Sequence, residues 1–232
     1  MRYKRILFAL LLLGVSVIIA IGYPQLLVAL ISSTAMSWTI GSVFARLLVL
    51  IAFFGFLKVL FPLLFPKRKF HSILLFLIAL LPSLALSFIH PIYTTDYGSL
   101  DDSFIFKGLD FLENDLNSPY TFKGEPVVLA FFTTDCNHCK AVCSKLAINA
   151  QSGQQLPVHA FFSGASEDAY TFLDENNALD FEYHFIEEDS VYLTYSGYIF
   201  PSIFLLDEKG NTTKHWEGDV VNYTALDYLR SY

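Results

Sequence analysis

The stretch TTDCNHCK, residues 133–140, sets Cys136 and Cys139 two residues apart, and Cys143 follows three residues later. Cysteines at this spacing support three chemistries: metal ligation, a structural crosslink, or a thiol pair that exchanges with disulfides. For a metal, Cys136, His138, Cys139 and Cys143 offer four donors, but C-x-H-C-x3-C matches neither zinc-ribbon nor ferredoxin spacing. No second cysteine pair exists. A crosslink is not required for folding, because the residues from His90 to Tyr232 are enough to bury roughly 70% of their unfolded-chain surface. Exchange asks for something more specific, a sulfur held where its thiolate is favoured and a second thiol within reach.

The neighbouring sequence meets that demand. PVVLAFFT is a near-continuous apolar run and reads as a strand buried on both faces. In KAVCSKLAINA, Val142, Leu146 and Ala150 recur at helical spacing. A strand leading directly into a helix puts Cys136 at the helix N-terminus, where free N–H groups and the macrodipole favour a thiolate, with Cys139 three residues on. The alternation continues with LPVHAFFSG as a second strand and SEDAYTFLDENN as a helix, with Ser166 as N-cap and Glu167 and Asp168 in its first turn. FEYHFI is a third strand and DSVYLTYSG a short helix closed by Gly197. PSIFLLD is a strand with Pro201 at its first residue, DEKGN turns into TTKHWEG, and NYTALDYLRSY closes the chain as a helix. The pattern predicts an α/β domain, a mixed sheet with helices on both faces.

On these residues the chain resembles the thioredoxin-like superfamily. FFTTDCNHCK is similar to its strand-to-helix active-site segment, and YSGYIFPSIFLLDEKGN to the later segment in which a proline opens a strand before a hairpin. The order of the two, and the gap between Cys139 and Pro201, resemble the membrane-anchored TlpA/ResA-like thiol-disulfide oxidoreductases over residues from about 120 to 230. The resemblance implies that Cys136 is the exposed nucleophile, Cys139 the resolving thiol, and Pro201 a cis-proline facing them. It also implies a redox-active Cys136–Cys139 disulfide and no other cofactor. His138 stands where the strongly oxidising DsbA-like motif also has histidine, so an imidazole donor or cation there would stabilise the Cys136 thiolate. Asp135 replaces the family's tryptophan and opposes that effect by its charge. The buried acid that helps deprotonate the resolving cysteine would fall at Ala130 or Val142, neither of which can act, and Ser144 replaces the helix-kinking proline.

The rest of the chain is chemically different. From Met1 to Ile89 there are eight Lys and Arg and no acid, whereas residues 90–232 carry seven bases against all 22 acids, a formal −15. Such an acidic half does not favour nucleic acid. Apolar runs from about Ile6 to Tyr23, Gly41 to Leu60 and Phe70 to Ile89 each approach the ~20 residues needed to cross a bilayer. FPLLFPKRKF, with Pro62, Pro66 and three adjacent bases, ends the second. Arg2, Lys4, Arg5 and the Lys67-Arg68-Lys69 loop belong inside, so the third span exports residues 90–232. A cleaved signal peptide is the rival reading of the first run, but no A-x-A site follows it. Arg46 and Lys58 read as interfacial side chains that snorkel. SVFARLLVLIAFFGFLK resembles the arginine-led span of the DoxX/MauE-like group, which commonly has four spans.

The expectation is therefore three parts: residues 1–90 as a membrane segment of three transmembrane helices, 91–120 as a tether and irregular segment, and 121–232 as a thioredoxin-like domain. The expected activity is thiol-disulfide exchange on exported proteins, from an inner-membrane, multi-pass chain with a periplasmic domain. Its partners would be the lipid bilayer, exported protein thiols or disulfides, and a separate redox protein, since all three cysteines fall within residues 136–143. The alternatives are a metal or copper chaperone, with His184 or His215 as a distant ligand, and a non-catalytic interaction module. Cys143 reads as a small core residue, and His90, His159, His184 and His215 as ordinary surface or core histidines; no residue is assigned to a metal. Asn211-Thr212-Thr213 and Asn222-Tyr223-Thr224 match the glycosylation tripeptide, which is common by chance.

Overall fold

In the computed structural model, residues 2–66, 71–89, 106, 109, 120–153, 156–164, 166–218 and 221–232 are described. The chain divides into two compact units, Met1–Ile92 and Tyr93–Tyr232.

The first unit is helical: α1 (Arg2–Ile21), α2 (Tyr23–Thr34), α3 (Trp38–Leu64) and α4 (Ser72–Ile89). Three of these, over Tyr3–Ile21, Trp38–Leu64 and Ser72–Ile89, are long and apolar enough to cross a membrane. The first span ends near Tyr23 as expected, but the helix α2 that follows it was not foreseen. Gly22 caps it and Pro24 sits in its first turn, where a missing N–H costs nothing. At 12 residues, or about 18 Å, α2 is too short to span a bilayer. It packs on α3 instead: Tyr23 and Ser42 share a hydrogen bond, and Gly41 lies so close to Leu27 that a Cβ there would come within 3.0 Å.

FPLLFPKRKF ends α3 as expected, with Leu64 the last helical residue and Phe65 the C-cap, while Pro62 is carried inside the helix. Arg46 is held by partners that the sequence does not show. Its Nη1 donates to Ser87 Oγ at 3.1 Å on α4, its guanidinium lies 5.9 Å from the Tyr23 ring centroid, and Ser83 Oγ donates to its carbonyl. Lys4, Arg5 and Lys58 line one pocket, which puts the N-terminal bases and the lower part of α3 at the same end. The Lys67-Arg68-Lys69 loop lies outside the described residues, as does most of the expected tether.

The second unit is built on a five-stranded mixed sheet in the order β3-β2-β1-β4-β5. Its elements are β1 (Val127–Phe132), α5 (Asn137–Gln151), β2 (Val158–Ser163), α6 (Ser166–Glu175), β3 (Glu182–Ile186), α7 (Asp189–Ser196), β4 (Ser202–Leu206), β5 (Thr212–Glu217) and α8 (Tyr223–Arg230). β1, β2 and β3 are parallel, while β4 and β5 are antiparallel to their neighbours. Every residue of β1 and β4 is buried, as their unbroken apolar runs require.

Alternation along β1 divides the core into two layers. Leu129 and Phe131 join Phe161, Phe204 and Tyr192 of α7 on one face, with the Phe131 and Phe161 rings stacked at 4.9 Å. Phe132 and Phe162 meet Phe172 of α6 on the other. Helices thus cover both faces. Of the expected irregular segment, Phe106, Leu109 and Tyr120 are described, and all three join the first layer. The β4–β5 turn is closed by Asp207 Oδ1, which accepts from the N–H groups of Lys209 and Asn211, with Gly210 at φ 79°. Asn222 caps α8 by accepting from Thr224 and Ala225 N–H, a structural use for one of the glycosylation-like asparagines.

Candidate active site

Buried β1 delivers the chain at the C-terminal end of the sheet, and a two-residue turn at Thr134 and Asp135 leads into α5. Cys136 is the N-cap of that helix, in extended backbone, and its Sγ accepts the Cys139 N–H at 3.1 Å. A sulfur in this position is half-buried and receives a donor that a thiolate uses better than a thiol. Cys139, one turn on, is fully buried, and all three cysteines are free thiols.

The two sulfurs therefore differ by position alone. Burial, together with the hydrogen bond and charge of Cys136, pushes the Cys139 thiol up to about 12. Thr133 Oγ1 lies 3.9 Å from its Sγ and works weakly in the opposite direction. Ala130 and Val142 are both fully buried and supply no acid. Ser144 donates to the Lys140 carbonyl at 3.0 Å and continues the helix. Cys143 is also fully buried, and burial pushes it to about 12 as well, in keeping with a core residue.

His138 reaches across the fold, with Nε2 2.9 Å from the carbonyl oxygen of Gly218, just after β5. A carbonyl only accepts, so Nε2 carries the proton, and in a neutral ring Nδ1 can only accept. Donation toward Cys136 thus requires the imidazolium form, a condition that the sequence does not reveal. Asp135 is exposed, where solvent screens its charge. The Phe200–Pro201 bond is cis, and Phe200 stacks on Tyr192 at 5.6 Å. Tyr198 and Ile199, just before it, are exposed apolar residues.

Tyr192 is a residue that sequence reasoning missed. Its hydroxyl donates to the Phe132 carbonyl at 2.8 Å and lies 3.3 Å from that of Phe161, bridging β1 and β2 beneath the turn. Burial and then the charge of a Cys139 thiolate push its own ionisation far up. No local pattern marks it, because DSVYLTYSG shows only a short amphipathic helix. Of the histidines expected to be ordinary, His90 lies outside the described residues and the other three are buried, His215 against Phe204 and Ser202, and His159 against His184.

No protein-family model and no curated protein matches the chain. Solved structures do. A secreted disulfide oxidoreductase of Mycobacterium tuberculosis, described as homologous to E. coli DsbE, is 18% identical over 47% of this chain and 83% of its own, with a TM-score of 0.40. StoA from Bacillus subtilis is 19% identical over 46% and 83%, with a TM-score of 0.40. A putative thiol:disulfide interchange protein DsbE from Chlorobium tepidum is 23% identical over 46% and 77%, with a TM-score of 0.38. The sheet order, the cysteine pair opening α5 and the proline before β4 give the second unit a thioredoxin-like fold.

Proposed function

We propose that the chain is a multi-pass membrane protein whose second unit exchanges thiols and disulfides of exported proteins. One observation carries this reading: two cysteines one turn apart at a helix start, the first accessible and hydrogen-bonded at sulfur, the second buried and held as a thiol. In the reducing direction, the Cys136 thiolate attacks a substrate disulfide, forming a mixed disulfide and releasing one substrate thiolate. Cys139, after losing its proton, attacks the Cys136 sulfur. The second substrate thiolate leaves, the substrate gains two electrons, and the pair becomes a Cys136–Cys139 disulfide. The reverse sequence oxidises a substrate.

The first step is set up by geometry and the second is not. With no carboxylate at 130 or 142 to take its proton and with Cys139 fully buried, resolution is the slower step and the mixed disulfide is long-lived. Recharging the pair falls to a separate redox protein, because the first unit contains no cysteine. The bases gathered at one end of α1 and α3 support an orientation in which residues 90–232 are extracytoplasmic.

Trapping in cells tests the reading. Cys139→Ser should accumulate mixed disulfides that reductant dissolves, Cys136→Ser should form none, and Cys143→Ser should behave as the parent. Capture that survives Cys136→Ser would refute the assignment. A reporter active only in the cytoplasm, fused after His90, should be silent.

A further inference from the structure

β2 and β3 are parallel, with His159 opposite Glu182 and Phe161 opposite His184, so alternation sends His159, Glu182 and His184 to the same face of the sheet. His159 Nδ1 lies 3.0 Å from His184 Nε2 and 3.5 Å from Glu182 Oε2, and the three donor atoms fall within 4.8 Å of one another. Both rings are buried, at 6% and 5% exposure. Tyr120 presents its ring edge-on to both, at 4.6 and 5.7 Å. A cavity of about 100 Å³ opens beside them, lined by Tyr120, Glu125, His159 and Glu182.

We propose that His159, His184 and Glu182 form a binding site for a divalent late transition-metal ion of the zinc(II) or copper(II) class. The spacing is right for a shared ion: two bonds of about 2.0–2.1 Å at a tetrahedral angle place their donor atoms about 3.3 Å apart. The observed 3.0 and 3.5 Å bracket that value. Two imidazoles with one carboxylate select such an ion over magnesium or calcium, which prefer all-oxygen sets. Three protein ligands leave a fourth position toward the cavity, for water or for the Glu125 carboxylate.

Protonation is compatible with ligation. Both rings are buried, which favours the neutral imidazole that binds metal. The ring-to-ring contact is an N–H···N hydrogen bond. An ion takes the place of that shared proton, which moves to the far nitrogen of the same ring, and both imidazoles stay neutral. Lys123, 4.0 Å from Glu182 and exposed, is the one competing cation that this carboxylate faces among the described ion pairs, and it is free to swing into solvent. The site lies on the β2–β3 edge and uses no cysteine, so it stands or falls independently of the exchange chemistry.

The test is a Zn²⁺ titration of the full chain in detergent, stripped with a chelator, against a chromophoric competitor, with Co²⁺ as a spectroscopic stand-in. The expected result is one equivalent bound, with a Co²⁺ spectrum of nitrogen and oxygen ligands and no thiolate charge-transfer band. Glu182 is exposed on an edge strand, so Glu182→Ala should keep the fold, read by Trp216 fluorescence, and weaken Zn²⁺ binding at least about tenfold. His184→Gln should weaken it by about 100-fold or more, and Cys136→Ser should leave it unchanged. A thiolate band, no stoichiometric binding, or unchanged affinity in both Glu182→Ala and His184→Gln would overturn the proposal and leave a plain hydrogen-bonded histidine pair.

Discussion

The two units use the same apolar residue types in opposite directions. In the helical unit Ile18, Ile51, Ile73, Leu81 and Phe88 point away from the helix packing, at 71, 65, 74, 64 and 90% exposure. In the sheet unit Phe131, Phe161 and Phe204 are at most 1% exposed and stack in one aromatic layer. Outward apolar faces on this scale suit hydrocarbon, in keeping with three helices long and apolar enough to cross a membrane, whereas the second unit closes its aromatic side chains inside. Composition alone would call both hydrophobic. Direction, and not quantity, separates them.

The largest effect that could break this contrast is a truncation made in both units. Phe131→Ala removes a ring from a closed layer and should destabilise the sheet unit by about 3–5 kcal/mol. Leu81→Ala, which removes a side chain facing outward, should move the helical unit by no more than about 0.5 kcal/mol. The chain offers one tryptophan per unit, Trp38 and Trp216, so single-tryptophan variants in a denaturant series report each separately. Equal sensitivity of the two units would end the comparison.

A smaller effect sharpens it through acid. His215 is buried against Phe204, its Nε2 2.9 Å from Ser202 Oγ, and burial pushes its pKa from 6.5 to about 4. The folded state therefore holds a neutral ring while the unfolded chain binds one more proton between these values. Its contribution is complete above about pH 6.5 and is lost as pH falls toward 4, on the order of 1–2 kcal/mol by pH 5. The helical unit has no Asp or Glu to titrate. Trp216 should thus report acid destabilisation before Trp38 does, and His215→Phe should reduce but not abolish the loss at Trp216 between pH 6.5 and 5, because buried His159 is held down to about 4 as well.

The smallest expected effect concerns half-buried Cys136 at the start of α5. His138→Pro removes the ring anchored to the Gly218 carbonyl, and should lower the reduction potential of the pair. The parent is expected at roughly −150 to −230 mV, more oxidising than thioredoxin, and a shift of about 30 mV corresponds to only about 1.4 kcal/mol. Asp135→Trp should raise the potential by less, since the exposed charge is already screened. Glutathione equilibration measures both, and a His138→Pro potential at or above the parent value would defeat the argument.

Local sequence determined a good deal of this protein. The order of strands and helices from Val127 onward, the position of Cys136 at a helix start, the buried Cys143 and the three long apolar helices all follow from periodicity and run length, which are properties of neighbouring residues. Where neighbours were not enough, the reading stopped. The end of the first span near Tyr23 was legible, but not that the residues after it form a separate short helix, α2. Arg46 read as an interfacial side chain, but its partners Tyr23 and Ser87, 23 and 41 residues away, were not legible.

Only the tertiary structure decided which distant groups meet. Strand pairing sets His159 beside Glu182 and His184, and a one-residue shift in that register would send them to opposite faces. The same holds for Tyr192, whose hydroxyl bridges two carbonyls from different strands below Cys139, and for His138, whose role turns on the carbonyl of Gly218, 80 residues away. Such contacts depend on how the chain closes on itself, and the free energy that fixes that closure is shared over the whole core.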